Sequence, residues 1–206
     1  MAKNFVFNFG YDTSHVTSVL GAEKVEEGSD IVLIVPEESD ERQERAIKEV
    51  SRYVKELSKD ISVEVFPVSE DFETRFLQIK NILKRLENVI LSLSGGSRDV
   101  LVPLCIVAST SPDLIENTYF RSDIDSELEK VNLPSFREPP NETEKEIINA
   151  MEDDYYSISE LEEVTKFSSS TLYRNIKNLK QKNLVKEEKE DKKLYRTTIS
   201  ARMLKT

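Results

Sequence analysis

Cysteine and histidine each occur once in this chain of 206 residues, as Cys105 and His15, and tryptophan is absent. One Cys and one His exclude a disulfide framework and a Cys/His zinc site, so no metal is expected. Cys105 sits inside the apolar run 100–108 and reads as a small buried hydrophobe in a reducing compartment. No apolar run approaches the roughly 18–20 residues of a membrane span. The opening Met-Ala-Lys-Asn-Phe-Val-Phe lacks the apolar core of a signal peptide. The expectation is a soluble, cytoplasmic protein that does not engage a membrane. Paired carboxylates and a suitably placed His are also missing, and His15 at a helix start reads as structural, so no catalytic residue is assigned.

Net positive charge is lacking overall, the formal total being −10, and this argues at first against nucleic acid. The distribution reverses that argument. Residues 1–140 carry 16 basic and 26 acidic side chains, whereas residues 171–206 carry 11 basic and 4 acidic. The last 36 residues therefore form a local basic surface that the average hides.

What is present is a regular alternation. Phe5–Phe9, Ile31–Val35, Ile61–Phe66 and Val89–Leu93 are short apolar runs, the second dense in β-branched residues like a strand buried on both faces. Between them lie helical patterns: 14–20, 40–57 with Ala46, Ile47, Val50, Val54 and Leu57, and 72–86 with Phe72, Phe76, Ile79, Leu83 and Leu86. A further apolar, helix-like run follows at 100–108, and 114–133 fits a closing hairpin. This order predicts an α/β fold, a Rossmann-like parallel sheet with helices on both faces. Three prolines among residues 133–141 then mark a boundary. The expected domains are 1–133 for sensing and dimerisation, a proline-rich linker at 134–141, and 142–206.

In the last segment three short helices fit 142–182. The first carries Ile147, Ile148 and Met151. Ser159-Glu-Leu-Glu162 reads as the capping box of the second, with Leu161 and Val164 as its core positions. In the third, within KFSSSTLYRNIKNLKQKNLV, Ser168 or Ser169 caps the helix and Leu172, Ile176 and Leu179 form a buried stripe. Its other face offers Ser169, Ser170, Thr171, Tyr173, Arg174, Lys177 and Lys180, and Asn183 suits the left-handed stop. Two strands, 184–189 and 194–198, flank a charged turn with Lys192 and Lys193. The segment 143–199 resembles the winged helix-turn-helix DNA-binding domains. That resemblance implies double-stranded DNA as partner, with these hydroxyls and cations in a major groove.

Only five glycines are present, yet two stand together in SLSGGSRD, directly after the fourth apolar run. In an open parallel sheet, ligands sit beyond the carboxyl ends of the strands, and two loops there carry glycine: Gly10, Tyr11, Asp12, Thr13, and Ser94, Gly95, Gly96, Ser97, Arg98. Glycine permits close backbone approach, and a following helix start would receive phosphate oxygens. Neither loop has dinucleotide-fold or Walker spacing. A Gly-Gly-Ser-Arg loop after the fourth strand, the opening FNFGYDTSHV and the C-terminal module together resemble the CRISPR-associated Rossmann fold (CARF) transcriptional regulators of archaea. Ser92 stands where that family has Asn, and Asp99 beside Arg98 also departs from its pattern. The resemblance implies a homodimer in CRISPR-Cas defence whose two sensor domains share a pocket for a cyclic oligoadenylate, cyclic tetra-adenylate foremost, with no other cofactor. Two alternatives stay open: a ring nuclease using Arg98 with Ser94 or Tyr11, and a constitutive DNA-binding protein whose Rossmann domain only dimerises.

Overall fold

In the computed structural model, which describes residues 3–38, 40–58, 60–135, 138–152, 154–189 and 193–205, the chain divides into two units, Met1–Asn132 and Leu133–Thr206. In the first, the β-branched runs become strands because their side chains fill both faces of a sheet. They are β1 (Asn4–Asn8), β2 (Asp30–Pro36), β3 (Ser62–Val68), β4 (Val89–Ser92) and β5 (Ile115–Arg121), joined by the short β6 (Leu128–Val131). The strand order is β3-β2-β1-β4-β5-β6, parallel throughout except for β6, which runs antiparallel to β5. The intervening helices are α1 (Ser14–Glu23), α2 (Glu41–Leu57), α3 (Phe72–Arg85) and α4 (Arg98–Thr110). This is the expected Rossmann-like α/β arrangement.

The pleat sorts the core. Phe5, Phe7, Phe9, Ile31, Leu33 and Val35 point to one face, under Val16, Val19 and Leu20 of α1 and Ala46, Val50 and Val54 of α2. On the opposite face α4 lies against β1 and β2, with α3 beside it. β3 continues through Pro67, which pairs with Val35. A proline without an N–H is tolerated there because β3 is an edge strand.

Several stripe positions differ from expectation. Leu57 and Phe72 are exposed, being the end residues of their helices, and the buried stripe of α2 starts instead at Gln43. In α3 the charged Arg75 is buried with Ile79, Ile82 and Leu83. Cys105 is half-buried, and partial burial pushes its thiol pKa up.

The second unit contains α5 (Glu142–Ala150), α6 (Ile158–Thr165), α7 (Ser169–Gln181), the hairpin β7 (Val185–Lys189) and β8 (Lys193–Thr197), and a final turn α8 (Ile199–Arg202). Ile147, Ile148, Met151, Leu161, Leu172, Ile176 and Leu179 form its core. α6 begins two residues earlier than its expected cap: Ser157 is the N-cap and Glu160 completes the box, so Ser159 and Glu162 do not. That start buries Ile158 and Leu161, one turn apart, and turns Val164 outward. The proline-rich stretch is not a free linker where it is described. Ser135 is buried, its amide donating to Ser200 Oγ at 2.7 Å, and Pro140 is buried as well.

Candidate functional site

The strand order reverses between β1 and β4, so the loops after these two neighbouring strands diverge and open a crevice. Both glycine loops lie there and touch. A Cβ added to Gly10 would stand 2.9 Å from the Cα of Gly96. Gly95 and Gly96 take φ of +71° and +58°, a conformation costing other residues about 1–2 kcal/mol each.

Two buried polar side chains prop this pair from beneath. Asn8, at the end of β1, donates through Nδ2 to the Gly95 carbonyl at 2.8 Å, and its Oδ1 has no partner among the described residues. His15, in the first turn of α1, is fully buried, 5.9 Å from the Phe7 ring and 6.1 Å from Phe9, and neither ring nitrogen finds a partner there. Burial lowers the His15 pKa, Arg121 pushes the same way and Asp12 opposes. A Cβ at Gly95 would overlap the imidazole, and one at Gly96 would overlap the Asn8 amide. Glycine is required at both positions by space as well as by backbone angle.

The second loop leads directly into α4. Ser97 caps it, accepting from the Val100 amide at 3.3 Å, and Arg98 is its first residue, exposed. Pro103 lies inside α4 and supplies no N–H to the Asp99 carbonyl one turn earlier. Buried Arg75 takes over that duty: its Nη1 donates to Asp99 O at 2.7 Å, while Nε and Nη2 donate to Ser69 O and Glu70 O, each at 2.6 Å. One guanidinium thus ties the β3–α3 loop to the helix start beside the glycine pair.

The resulting cleft has a volume of about 580 Å³, within the roughly 300–1,000 Å³ typical of ligand sites. Gly10, Tyr11, Asp12, Gly95, Gly96 and Ser97 line it, joined by Phe9, Pro36, Glu38, Asp40, Gln43 and Asp123. No lysine or arginine is among these residues, and four of them are acidic. Asp40 is already engaged: Oδ1 accepts from the Arg42 and Gln43 amides and Oδ2 from the Tyr11 hydroxyl at 3.1 Å. These bonds, the Gln43 amide foremost, hold its pKa below the usual carboxylate value. For Asp12, desolvation acts upward, but the Ser14 hydroxyl and amide outweigh it and lower the pKa. Arg121 stands 3.8 Å from Asp12.

In the second unit, α7 exposes Ser170, Tyr173, Arg174 and Lys177 on the side opposite its buried stripe. Lys180 and Lys193 share one carboxylate, Glu187, Lys193 at 3.2 Å. The Ser169 hydroxyl is taken by Glu162 of α6, and Thr171 Oγ1 lies 3.0 Å from Ser168 Oγ. Asn183 has φ +57°, and the Leu184 amide reaches back to Leu179 O at 2.8 Å, closing the helix as expected. Tyr156 bridges to Tyr195 of β8, and Tyr155 carries Lys186 and Arg196 at 5.6 and 5.4 Å from its ring centre.

A family model, the Csa3 CRISPR-associated Rossmann-like domain, matches residues 3–130. The chain belongs to this family. Among solved structures it is similar to Csm6 of Enterococcus italicus, with a TM-score of 0.56 and 13% identity over 86% of this chain and 55% of that one. It is also similar to Can2 of Sulfobacillus thermosulfidooxidans, with a TM-score of 0.46 and 13% identity over 98% of this chain and 63% of that one. The chain therefore spans less than two thirds of the length of either structure. Comparison with curated proteins gives no match.

Within the Csa3-type domain the outcome for the expected ligand residues is divided. Thr13, Ser94 and Arg98 do not line the cleft. Thr13 precedes α1 without a side-chain capping bond. Ser94 is buried, with its hydroxyl bonded to the Arg121 backbone, so it is spent on joining β4 to β5. Arg98 is exposed and follows the lining residue Ser97 in the chain. Sequence reasoning missed Asn8 and Arg75, which lack any local motif, and Gln43, a polar residue one turn before the apolar stripe read from the sequence. Lys192 lies outside the described residues. Among those residues, no group of three potential metal ligands converges, and no helix is long and apolar enough to cross a membrane.

Proposed function

We propose that this chain is a cytoplasmic transcription regulator that senses a cyclic oligoadenylate, cyclic tetra-adenylate foremost, and binds double-stranded DNA as a homodimer. The second unit then serves as a winged helix-turn-helix, with α7 as recognition helix and β7–β8 as wing. The observation that carries this reading is the exposed face of α7, where Ser170, Tyr173, Arg174 and Lys177 stand opposite the buried stripe. Hydroxyls at a helix start and cations along it suit phosphates and base edges in a major groove.

Support for the ligand comes from the crevice. Csm6, whose fold is similar, was solved bound to cyclic hexa-2'-fluoro-hexa-dAMP. In this chain the glycine pair exposes backbone at the start of α4, where helix amides and the exposed Arg98 favour an anion despite the acidic walls. Two copies around a two-fold axis bring two such loops to one ring. Ligand acts through its unequal affinity for two dimer arrangements. The site binds rather than cleaves, a reading supported by the engagement of Ser94 with Arg121 and of His15 with the space under the loop.

The test is a gel shift with the chain's own promoter DNA, with and without cyclic tetra-adenylate, followed by chromatography of the ligand. Arg174→Ala with Lys177→Ala weakens binding by about 1–3 kcal/mol for each base-edge interaction removed. Unchanged DNA affinity in the double variant refutes the α7 assignment. Conversion of the ligand to linear product refutes the sensor reading in favour of a nuclease.

A further inference from the structure

One side chain at the cleft is buried and unused. Gln43, in the first turn of α2, is only 4% exposed and lines the cleft. Its backbone amide donates to Asp40 Oδ1, yet its side-chain carboxamide makes no hydrogen bond to any described residue. It occupies the first position of a stripe that continues with Ala46, Val50 and Val54, where packing alone favours an apolar residue. Neither carboxamide atom is among the sealed polar atoms left without a partner, so the group opens onto the cleft, where a ligand with a matching donor and acceptor replaces water.

A carboxamide offers a donor and an acceptor side by side. The amino edge of adenine, N6–H beside N7, presents the matching pair, and glutamine reads it with two bonds. The surrounding walls select the same edge. Glu38 and Asp123 line the cleft, and neither side chain has a hydrogen-bond partner or ion pair among the described residues. Such carboxylates accept from an exocyclic amine and repel a carbonyl. Tyr11, 61% exposed and tethered through its hydroxyl to Asp40, offers a ring on which a base stacks.

We propose that Gln43 is the base-reading residue of the cleft, its Oε1 accepting from adenine N6 and its Nε2 donating to N7. This rests on the cyclic-oligoadenylate reading of the site and assigns its choice of base. Phosphates then lie over the glycine pair and the start of α4, and bases turn toward the acidic wall. That division explains why a cleft for a polyanion is lined by carboxylates.

The test is titration calorimetry on the full chain with three rings: cyclic tetra-adenylate, its 7-deazaadenine analogue, and cyclic tetra-inosinate, which replaces the amine by a carbonyl. Wild type binds the adenylate at least about fivefold more tightly than either analogue, within the roughly five- to 150-fold span of one bidentate pair. Gln43→Leu, checked by thermal melt, equalises the adenylate and its 7-deaza analogue, while the wall carboxylates still disfavour the inosinate. A wild type that binds the adenylate and its 7-deaza analogue alike, or a Gln43→Leu variant that keeps the preference between these two, overturns this assignment and leaves the ligand class standing. A wild type that binds none of them overturns both. The wild-type comparison needs no variant, so it decides even where Gln43→Leu does not fold.

Discussion

Arg75 and Pro103 form a pair that mutagenesis can take apart. Arg75→Ala removes three hydrogen bonds to backbone carbonyls, those of Ser69, Glu70 and Asp99. Hydrogen bonds from a charged donor contribute about 1.5–3 kcal/mol each, but these three share one side chain and are not additive. The expected loss is on the order of 2–4 kcal/mol, since water reaches the part-buried carbonyls and replaces some of what the guanidinium supplied. Pro103→Ala returns an N–H to the Asp99 carbonyl. With Arg75 intact, that N–H shares the carbonyl with the guanidinium; in the Arg75→Ala background it is the sole donor. The gain from Pro103→Ala is therefore larger in the Arg75→Ala background, by about 0.5–1.5 kcal/mol, the net worth of one amide–carbonyl bond. Subtracting the two gains cancels the intrinsic helix preference of Ala over Pro. Thermal melts of the four proteins give the stability cycle, and amide exchange over residues 97–105 locates the effect at the start of α4. An identical gain in both backgrounds, or unchanged exchange in Arg75→Ala, refutes the account of how the helix is held.

Further outcomes are expected around the glycine loops. His15 is buried with a lowered pKa, so the unfolded chain takes up a proton near the ordinary value of 6.5 before the folded one does. Stability is fully present above that value and falls as pH drops through the window between 6.5 and the folded-state pKa; His15→Leu flattens this slope in melts recorded across it, and an unchanged slope refutes the assignment. Gly96→Ala places a Cβ on the Asn8 amide at φ +58° and destabilises the fold by more than the left-handed strain of about 1–2 kcal/mol alone, read as a lowered melting temperature. Arg98→Ala leaves the melting temperature unchanged and weakens cyclic tetra-adenylate binding by about 1.5–3 kcal/mol, the worth of a charge-assisted bond; calorimetry that shows no loss returns Arg98 to a solvated residue.

The sheet was legible because strand burial on both faces leaves a continuous β-branched run, as in Ile31–Val35, and little else does. The two glycine loops were legible because position at the ends of parallel strands follows from topology alone. What supports them was not. Asn8 meets Gly95 across 87 positions of chain, and Arg75 meets Asp99 across 24. No local pattern encodes such pairings. The α6 cap failed for a different reason: Ser157/Glu160 and Ser159/Glu162 both satisfy the capping-box spacing, and only the burial of Ile158 against the core chooses between them. Gln43 lies one turn before Ala46, where the apolar stripe read from the sequence begins, and a polar residue there leaves no mark in an apolar periodicity.

The fit of Asn8 and His15 beneath the glycine pair carries an evolutionary consequence. Each fills space that a Cβ on Gly95 or Gly96 would need, so the four positions are inherited as a set. A lineage that keeps the histidine has no viable single step away from glycine at 95, and the same holds for asparagine and glycine at 96. A smaller residue at 15 first opens room beside Gly95, whereas at 96 the Asn8 backbone carbon, 2.8 Å from the added Cβ, stays in the way whatever side chain stands at 8. Among descendants of this chain, the first substitutions to accumulate around the loop are therefore expected in α1 at position 15, later at 95, and last at 96.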